Sequence, residues 1–255
     1  MQDPSQQNII SAGQFAVVHK LNEKVVRKVP GCKSDPYSLR ALKIEAQIYH
    51  HLGEDKRIAR WFQSSDNYID LQYEANGDLE TYLRTHAVNN EFRYRIARQA
   101  IKAVDFIHRN EVIHSDLSAR QFLVDERLNI RLSDFGGSSL KGSEAIVIEN
   151  ATHFLPRDEN LPNTVQSDIF ALGSTLYEII LGQRPYEGKK DDEVRHLYSQ
   201  GLFPSVESIG DATWRRAIQK CWKSHYRSTR EILEDVSAIS WPSSFFVRFL
   251  RCIRN

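Results

Sequence analysis

The sequence has little of what would staple, span or polarise a protein. It holds three cysteines, Cys32, Cys221 and Cys252, far apart and outside any C-x-x-C pair. Neither a disulfide framework nor a cysteine-based zinc site is expected, and the thiols read as those of a reducing compartment. No apolar run is long enough for a bilayer. The most apolar stretch, IFALGSTLYEIILG (169–182), contains Glu178 and falls short of the roughly 18 residues a span needs. The first ten residues, MQDPSQQNII, lack the basic start and apolar centre of a secretory leader. Charge of one sign is also missing: 34 basic and 33 acidic residues give a formal net charge of +1, which excludes a global field suited to nucleic acid. A chain of 255 residues, 41% hydrophobic and 26% charged, can bury a core without staples. An intracellular protein is expected, either one large domain or two lobes sharing a cleft.

The pattern of apolar residues changes along the chain. FAVVHKL (15–21) and KVVRKV (24–29) are short β-branched runs joined by Asn22-Glu23, which predicts a hairpin. Pro30, Gly31 and Pro36 read as breaks, and apolar residues at 42, 46, 49 and 52 predict a helix over 39–53. ARWFQS (59–64) and NYIDLQY (67–73) predict two further strands around Ser65-Asp66. After EANG the chain is mainly helical. A helix over 92–110 follows from apolar residues at 96, 100, 104 and 107, and a centrally buried one from 168–182, which is apolar on every face. EVIHS (111–115) and NIRLSDF (129–135) are too short for helices and suit a small β-ribbon. Ser228-Thr229-Arg230-Glu231 has the spacing of a capping box. Sheet first and helices afterwards predict an α+β chain in two lobes.

The residues with most chemistry lie in VIHSDLSARQFLVDERLNIRLSDFGG (112–137). Asp116 falls in a loop after a strand, Gln121 five residues on, and Asp134-Phe135-Gly136 begins eighteen residues after Asp116. Phosphoryl transfer needs a carboxylate to receive a hydroxyl proton and hard ligands for metal ions that neutralise phosphate oxygens. Asp116 suits the first task, and Asp134 with the amide oxygen of Gln121 suits the second. The segment resembles the catalytic loop and D-F-G motif of the eukaryotic protein-kinase family, with HSDLSARQ standing where that family has H-R-D-L-x-x-x-N. It is also similar to divergent fungal protein-kinase-like domains.

The resemblance implies an α+β, bilobal kinase fold: a β-rich lobe over about 1–71, a hinge over about 72–78 and a helical lobe over about 79–255. IISAGQFAVVHKL (9–21) resembles the glycine-rich loop, with Ile10, Gly13, Phe15 and Val18 against the nucleotide. VVRKV (25–29) resembles the V-A-I-K strand and nominates Lys28 for the phosphates, over Lys24, Lys33 and Lys43, with Glu45 as its helix partner. LQYEANGDLETYL (71–83) resembles the hinge, which makes Leu71 the gatekeeper. It implies adenine-binding backbone at Gln72, Tyr73 and Glu74, Asp78 near the ribose, and Val26 and Leu123 about the ring. Asp168 in SDIFALGSTLYEI (167–179) is implied to hold the catalytic-loop backbone. ATP with Mg²⁺ or Mn²⁺, and a protein substrate, follow from the same resemblance.

Four positions depart from the family pattern. Gln121 replaces an Asn and carries one more methylene. Ser115 replaces the Arg that pairs with a phosphorylated activation loop. Leu155-Pro156-Arg157 stands where the family has A-P-E. Arg157 cannot pair with the late Arg227, so Asp158 or Glu159 substitutes or the anchor is built differently. Ser118-Ala119-Arg120 is closer to the tyrosine-kinase form, while serine/threonine acceptors are favoured overall. The alternatives are a pseudokinase scaffold with weak nucleotide binding and a small-molecule kinase. The tail WPSSFFVRFLRCIRN (241–255) reads as a terminal helix on the large lobe or a basic amphipathic segment on a membrane surface.

Overall fold

Alternation organises the first part of the chain. In Val25–Pro30 (β3), Val26, Lys28 and Pro30 face inward while their neighbours are half-buried. The computed structural model describes residues 8–237; residues 1–7 and 238–255, with Cys252 and the tail 241–255, lie outside the described residues. β3 sits at the centre of an antiparallel sheet with Ile9–Ala12 (β1), Ala16–Lys20 (β2), Trp61–Ser65 (β4) and Tyr68–Gln72 (β5), in the order β1-β2-β3-β5-β4. Val18 of β2 and Ile69 of β5 flank Lys28 in register. The expected hairpin forms, with Asn22 Oδ1 accepting the N–H groups of Lys24 and Val25.

Helix α1 (Pro36–Leu52) starts earlier than the apolar periodicity predicts. Pro36 opens it rather than breaking the chain, because the first helical N–H has no intrahelical partner to lose. Asp35 caps it by accepting the N–H groups of Tyr37 and Ser38. Ala41, Leu42, Glu45, Ile48, Tyr49 and Leu52 form its buried face, so one carboxylate lies within an otherwise apolar stripe.

The second lobe contains α2 (Leu79–Thr85), α3 (Asn90–Arg109), α4 (Val165–Leu181), α5 (Asp191–Ser199), α6 (Ala212–Trp222) and α7 (Thr229–Ser237). α4 is buried from Ser167 to Ile180, as its all-round apolar pattern predicts. A reciprocal box between Thr164 and Ser167 starts α4, and left-handed Gly182 ends it. At α7, Glu231 accepts the N–H of Arg227 at 2.9 Å, one residue before the expected Ser228. This sheet lobe and helical lobe form the bilobal α+β fold. Among the described residues no helix is long and apolar enough to cross a membrane.

The two short apolar runs do not pair with each other. Val112–Ile113 (β6) pairs with Ser139–Leu140 (β9), and Phe122–Val124 (β7) with Ile130–Leu132 (β8). The reason is local. Asp125 Oδ1 accepts the N–H groups of Arg127 and Asn129, which closes a tight turn and returns β8 onto β7.

Gly173 marks the closest approach of α4 to α6: a Cβ there would lie 2.6 Å from Cys221 Cβ and 3.3 Å from the Trp222 ring. Gly173→Ala is expected to lower stability by roughly 1–2 kcal/mol, since overpacking of about 1–3 kcal/mol outweighs the helix-propensity gain. Urea denaturation measures this; an unchanged or raised midpoint would contradict the contact.

Candidate active site

Lys28 is the inward position of a strand whose neighbours are apolar, so its ammonium must find carboxylates or lose its charge. It finds one from each side. Nζ lies 2.5 Å from Glu45 on α1 and 2.6 Å from Asp134 in the loop after β8. Lys24, Lys33 and Lys43 are exposed. Burial alone would lower the Lys28 pKa, but the charges of Asp134 and Glu45 outweigh it and hold the ammonium above the ordinary lysine range. The carboxylates differ. Glu45, 1% exposed, is pushed up by burial, whereas the ammonium holds Asp134 below the usual range. The Asp134 side chain is 50% exposed, leaving it open to the cleft. Phe135 is fully buried, edge-on to Tyr49 of α1 and beside His114. Asp134, at φ 63°, is thereby wedged toward Lys28.

The loop holding Asp116 hangs from a second buried carboxylate. Asp168, in the first turn of α4, accepts the N–H of His114 at 2.7 Å, the N–H of Ser115 at 3.0 Å and Nε2 of His108 at 2.9 Å. These bonds fix Ser115 in the left-handed region, φ 72°, a conformation that needs support in a non-glycine residue. His114 Nε2 donates to Ser133 O at 3.0 Å, tying this loop to the residue before Asp134. Burial pushes the Asp116 carboxyl up, and Gln121 Nε2 donates to Asp116 Oδ2 at 2.7 Å. Gln121 is buried, and its backbone carbonyl accepts both the N–H and the hydroxyl of Ser133. Its side-chain amide nitrogen faces the carboxylate named as base, a direction the sequence does not reveal.

Two of the three hinge residues expected to offer backbone to adenine have no free N–H. Val26 and Leu71 are buried and Leu123 half-buried; Phe15 and Val18 are half-buried, and Ile10 and Gly13 exposed on the opening strand and turn. The Tyr73 N–H is spent on Lys24 O at 2.8 Å, so Tyr73 has no free amide to offer adenine. The Gln72 N–H is likewise spent on Arg60 O at 2.8 Å, and only the Glu74 N–H has no backbone partner among the described residues. Asp78 caps α2 by accepting the Thr81 N–H through Oδ1 at 2.9 Å.

The anchor of the segment after Asp134 is built differently from either proposed substitute. Arg157 pairs with buried Glu149 at 2.9 Å; Glu159 pairs with Arg195, and Asp158 caps Asn160. Arg227 contributes its backbone, accepting Gln166 Nε2 and donating to Glu231. Sequence reasoning also missed His108 and Glu178. His108 follows the apolar face of α3 by one helical step from Val104, a spacing that could have found it. Glu178 Oε2 accepts the N–H of Ala119 at 2.8 Å, and only its position inside an all-apolar helix hinted at a buried task.

Behind the hinge, Glu74 is 5% exposed, with Gln72 Nε2 at 3.1 Å and Arg131 Nε at 3.4 Å. Burial pushes its carboxyl from 4.5 up to about 7, against the pull of Arg131. The folded value lies above the unfolded one, so folding favours the protonated form. That stability is fully present below about pH 4.5 and is lost as pH rises to about 7. Glu74→Gln is expected to melt with the parent near pH 4.5 and above it near pH 8. The gain there is on the order of 1 kcal/mol after screening. A variant that melts below the parent at about pH 8 would show that the ion pair with Arg131 outweighs desolvation.

Comparison with known proteins agrees with this geometry. Residues 5–237 match the family described as protein tyrosine and serine/threonine kinase. The RAF proto-oncogene serine/threonine-protein kinase of Xenopus laevis is 24% identical over 220 residues, covering 78% of this chain and 34% of the relative. Serine/threonine-protein kinase PLK2 of Mus musculus is 26% identical over 218 residues, covering 79% and 32%. Serine/threonine-protein kinase PDK1 of Cryptococcus neoformans is 29% identical over 153 residues, covering 55% and 12%. The chain thus spans about a third or less of the length of these relatives. With its sheet lobe, its Lys28–Glu45 pair, its Asp116 loop and a family match along nearly its whole length, this chain belongs to the protein kinase family.

Proposed function

We propose that this chain is an active protein kinase that transfers the γ-phosphoryl group of ATP to serine or threonine hydroxyls of protein substrates. The observation that carries the reading is the contact of one buried ammonium with both Glu45 and Asp134. It brings a phosphate-binding cation and a candidate metal ligand together in one cleft. The serine/threonine preference draws on the printed names of the relatives.

The residues present fit a magnesium-bound nucleotide. Mg²⁺ is usually held by one or two carboxylates together with substrate phosphates, and Asp134 is the half-exposed carboxylate that would hold it, with the Gln121 amide oxygen as the second ligand. When bound, the metal supplies neutralisation of the phosphate oxygens on which charge develops. In this reading Lys28 pairs with the α- and β-phosphates, Val26 and Leu123 enclose the base, and the Glu74 N–H is offered to its edge. Asp116 accepts the acceptor hydroxyl's proton as the oxygen attacks phosphorus. The Gln121 N–H orients that carboxylate while one oxygen stays free for the proton.

The scaffold reading rests on the same hydrogen bond. If Gln121 cannot turn its oxygen toward a metal without releasing Asp116, nucleotide binds and nothing is transferred.

Asp116→Asn is expected to retain nucleotide binding and lose about 10²–10⁴-fold in turnover, the range for a positioned general base. Steady-state transfer to a serine/threonine peptide measures it, and equal rates would remove Asp116 from the mechanism. Lys28→Met and Asp134→Asn are each expected to diminish the rise in melting temperature given by Mg·ATP, one through phosphate charge and the other through metal. An undiminished shift in both would refute the cleft assignment.

A further inference from the structure

The segment between Asp134 and α4 is ordered by contacts within itself. Near its start, Gly137 O accepts the N–H of Ile146 at 3.1 Å. Gly137 has no room for a Cβ, because the Val147 side chain packs onto its backbone. Val147 O in turn accepts Asn163 Nδ2 at 2.8 Å, and Asn163 Oδ1 accepts Arg157 Nη2 at 2.5 Å. The same Nη2 lies 2.9 Å from Glu149 Oε2, with the Glu149 side chain 0% and Arg157 10% exposed. The Phe154 ring faces the Arg157 guanidinium at 4.8 Å. One arginine thus joins the middle of the segment to its last residues, eight residues back to Glu149 and six forward to Asn163.

This closed segment reaches the loop of Asp116. His153, 1% exposed, lies 3.5 Å from Glu178, whose Oε2 also accepts the Ala119 N–H three residues after Asp116. Tyr198 of α5 donates to Thr152 O at 3.1 Å. Ser115, fully buried, turns its hydroxyl to Ile113 O and its N–H to Asp168, and takes no part in these contacts.

We propose that Glu149, Arg157 and Asn163 are positioning residues that hold the acceptor side of the cleft in working shape without phosphorylation of the segment. The inference rests on the kinase reading for its catalytic consequence only. A buried charge pair is costly to break by removing one partner. It does the work that other chains assign to a phosphate and an exposed arginine, and it is made when the chain folds rather than when it is modified.

The test uses the phosphatase-treated full chain, followed by hydrogen–deuterium exchange over residues 137–163 and by transfer from ATP to a degenerate serine/threonine peptide mixture. The expected result is a protected segment and activity equal to the untreated protein. The double variant Glu149→Gln with Arg157→Gln keeps neutral hydrogen-bonding groups in place. It is expected to keep the parent's ATP KM, lose protection in the segment and lose about 10²-fold in kcat/KM for peptide, the scale of a misplaced substrate. Asn163→Ala, a smaller lesion, is expected to move both readouts in the same direction by less, and it serves if the double variant does not fold. A treated parent that exchanges freely and recovers protection and activity on phosphorylation overturns the proposal, as do variants with parental exchange and peptide KM. A protected parent that transfers no phosphate supports the clamp and sinks the kinase reading, so the two failures are distinct.

Discussion

The structure depends on the charge of Lys28. An ammonium in the middle of a five-stranded sheet is tolerable only if carboxylates meet it, and here they come from α1 and from the loop after β8. That requirement fixes the distance of α1 from the sheet, since Glu45 is the one carboxylate in an apolar helical face. It also fixes the conformation at Asp134, which Phe135 secures by packing against Tyr49 and His114. The asymmetry of the pair matters. Glu45 is enclosed and pushed up by burial, and Asp134 is open to the cleft and held low by the ammonium. The first positions the lysine. The second stays ionised, as a metal ligand must.

Asp168 plays the corresponding part in the helical lobe. It is fully buried in the first turn of α4, and two backbone N–H groups and one imidazole donate to it. Carboxylates satisfied in this way are costly to disturb, which is why a left-handed Ser115 persists next to Asp116. The two buried carboxylates work at one remove. Glu45 holds the Lys28 ammonium, and Asp168 holds the backbone of the two residues before Asp116.

Part of this was legible in sequence. The likeness of VVRKV to the V-A-I-K strand singled out Lys28 among four lysines, and the same resemblance named Glu45 on the helix that follows. The buried face of α4 needed only its continuous apolar run. Contacts between distant segments were less legible. The apolar runs alone do not tell β8 to choose β7 over β6; the choice rests on the local turn that Asp125 closes. The Tyr73 amide looked available because the hairpin carbonyl that takes it, Lys24 O, lies 49 residues earlier. Glu149 was unremarked since a glutamate in a polar loop reads as solvated; only Arg157, Asn163 and Phe154 folding over it make it a core residue.

Gln121 is where the fold and the proposed chemistry bear on each other most closely, because its amide nitrogen holds Asp116 while its oxygen is the available second metal ligand. Mg²⁺ demands near-octahedral geometry at about 2.0–2.1 Å and sheds water reluctantly, so a ligand displaced by one methylene should handicap Mg²⁺ more than Mn²⁺. The decisive measurement is the rate of phosphate transfer from ATP by the parent and by Gln121→Asn, each with Mg²⁺ and with Mn²⁺. The account predicts transfer by the parent, faster with Mn²⁺ than with Mg²⁺, and a narrower gap in Gln121→Asn. Absence of transfer by both proteins with both metals, while nucleotide still binds, would contradict it.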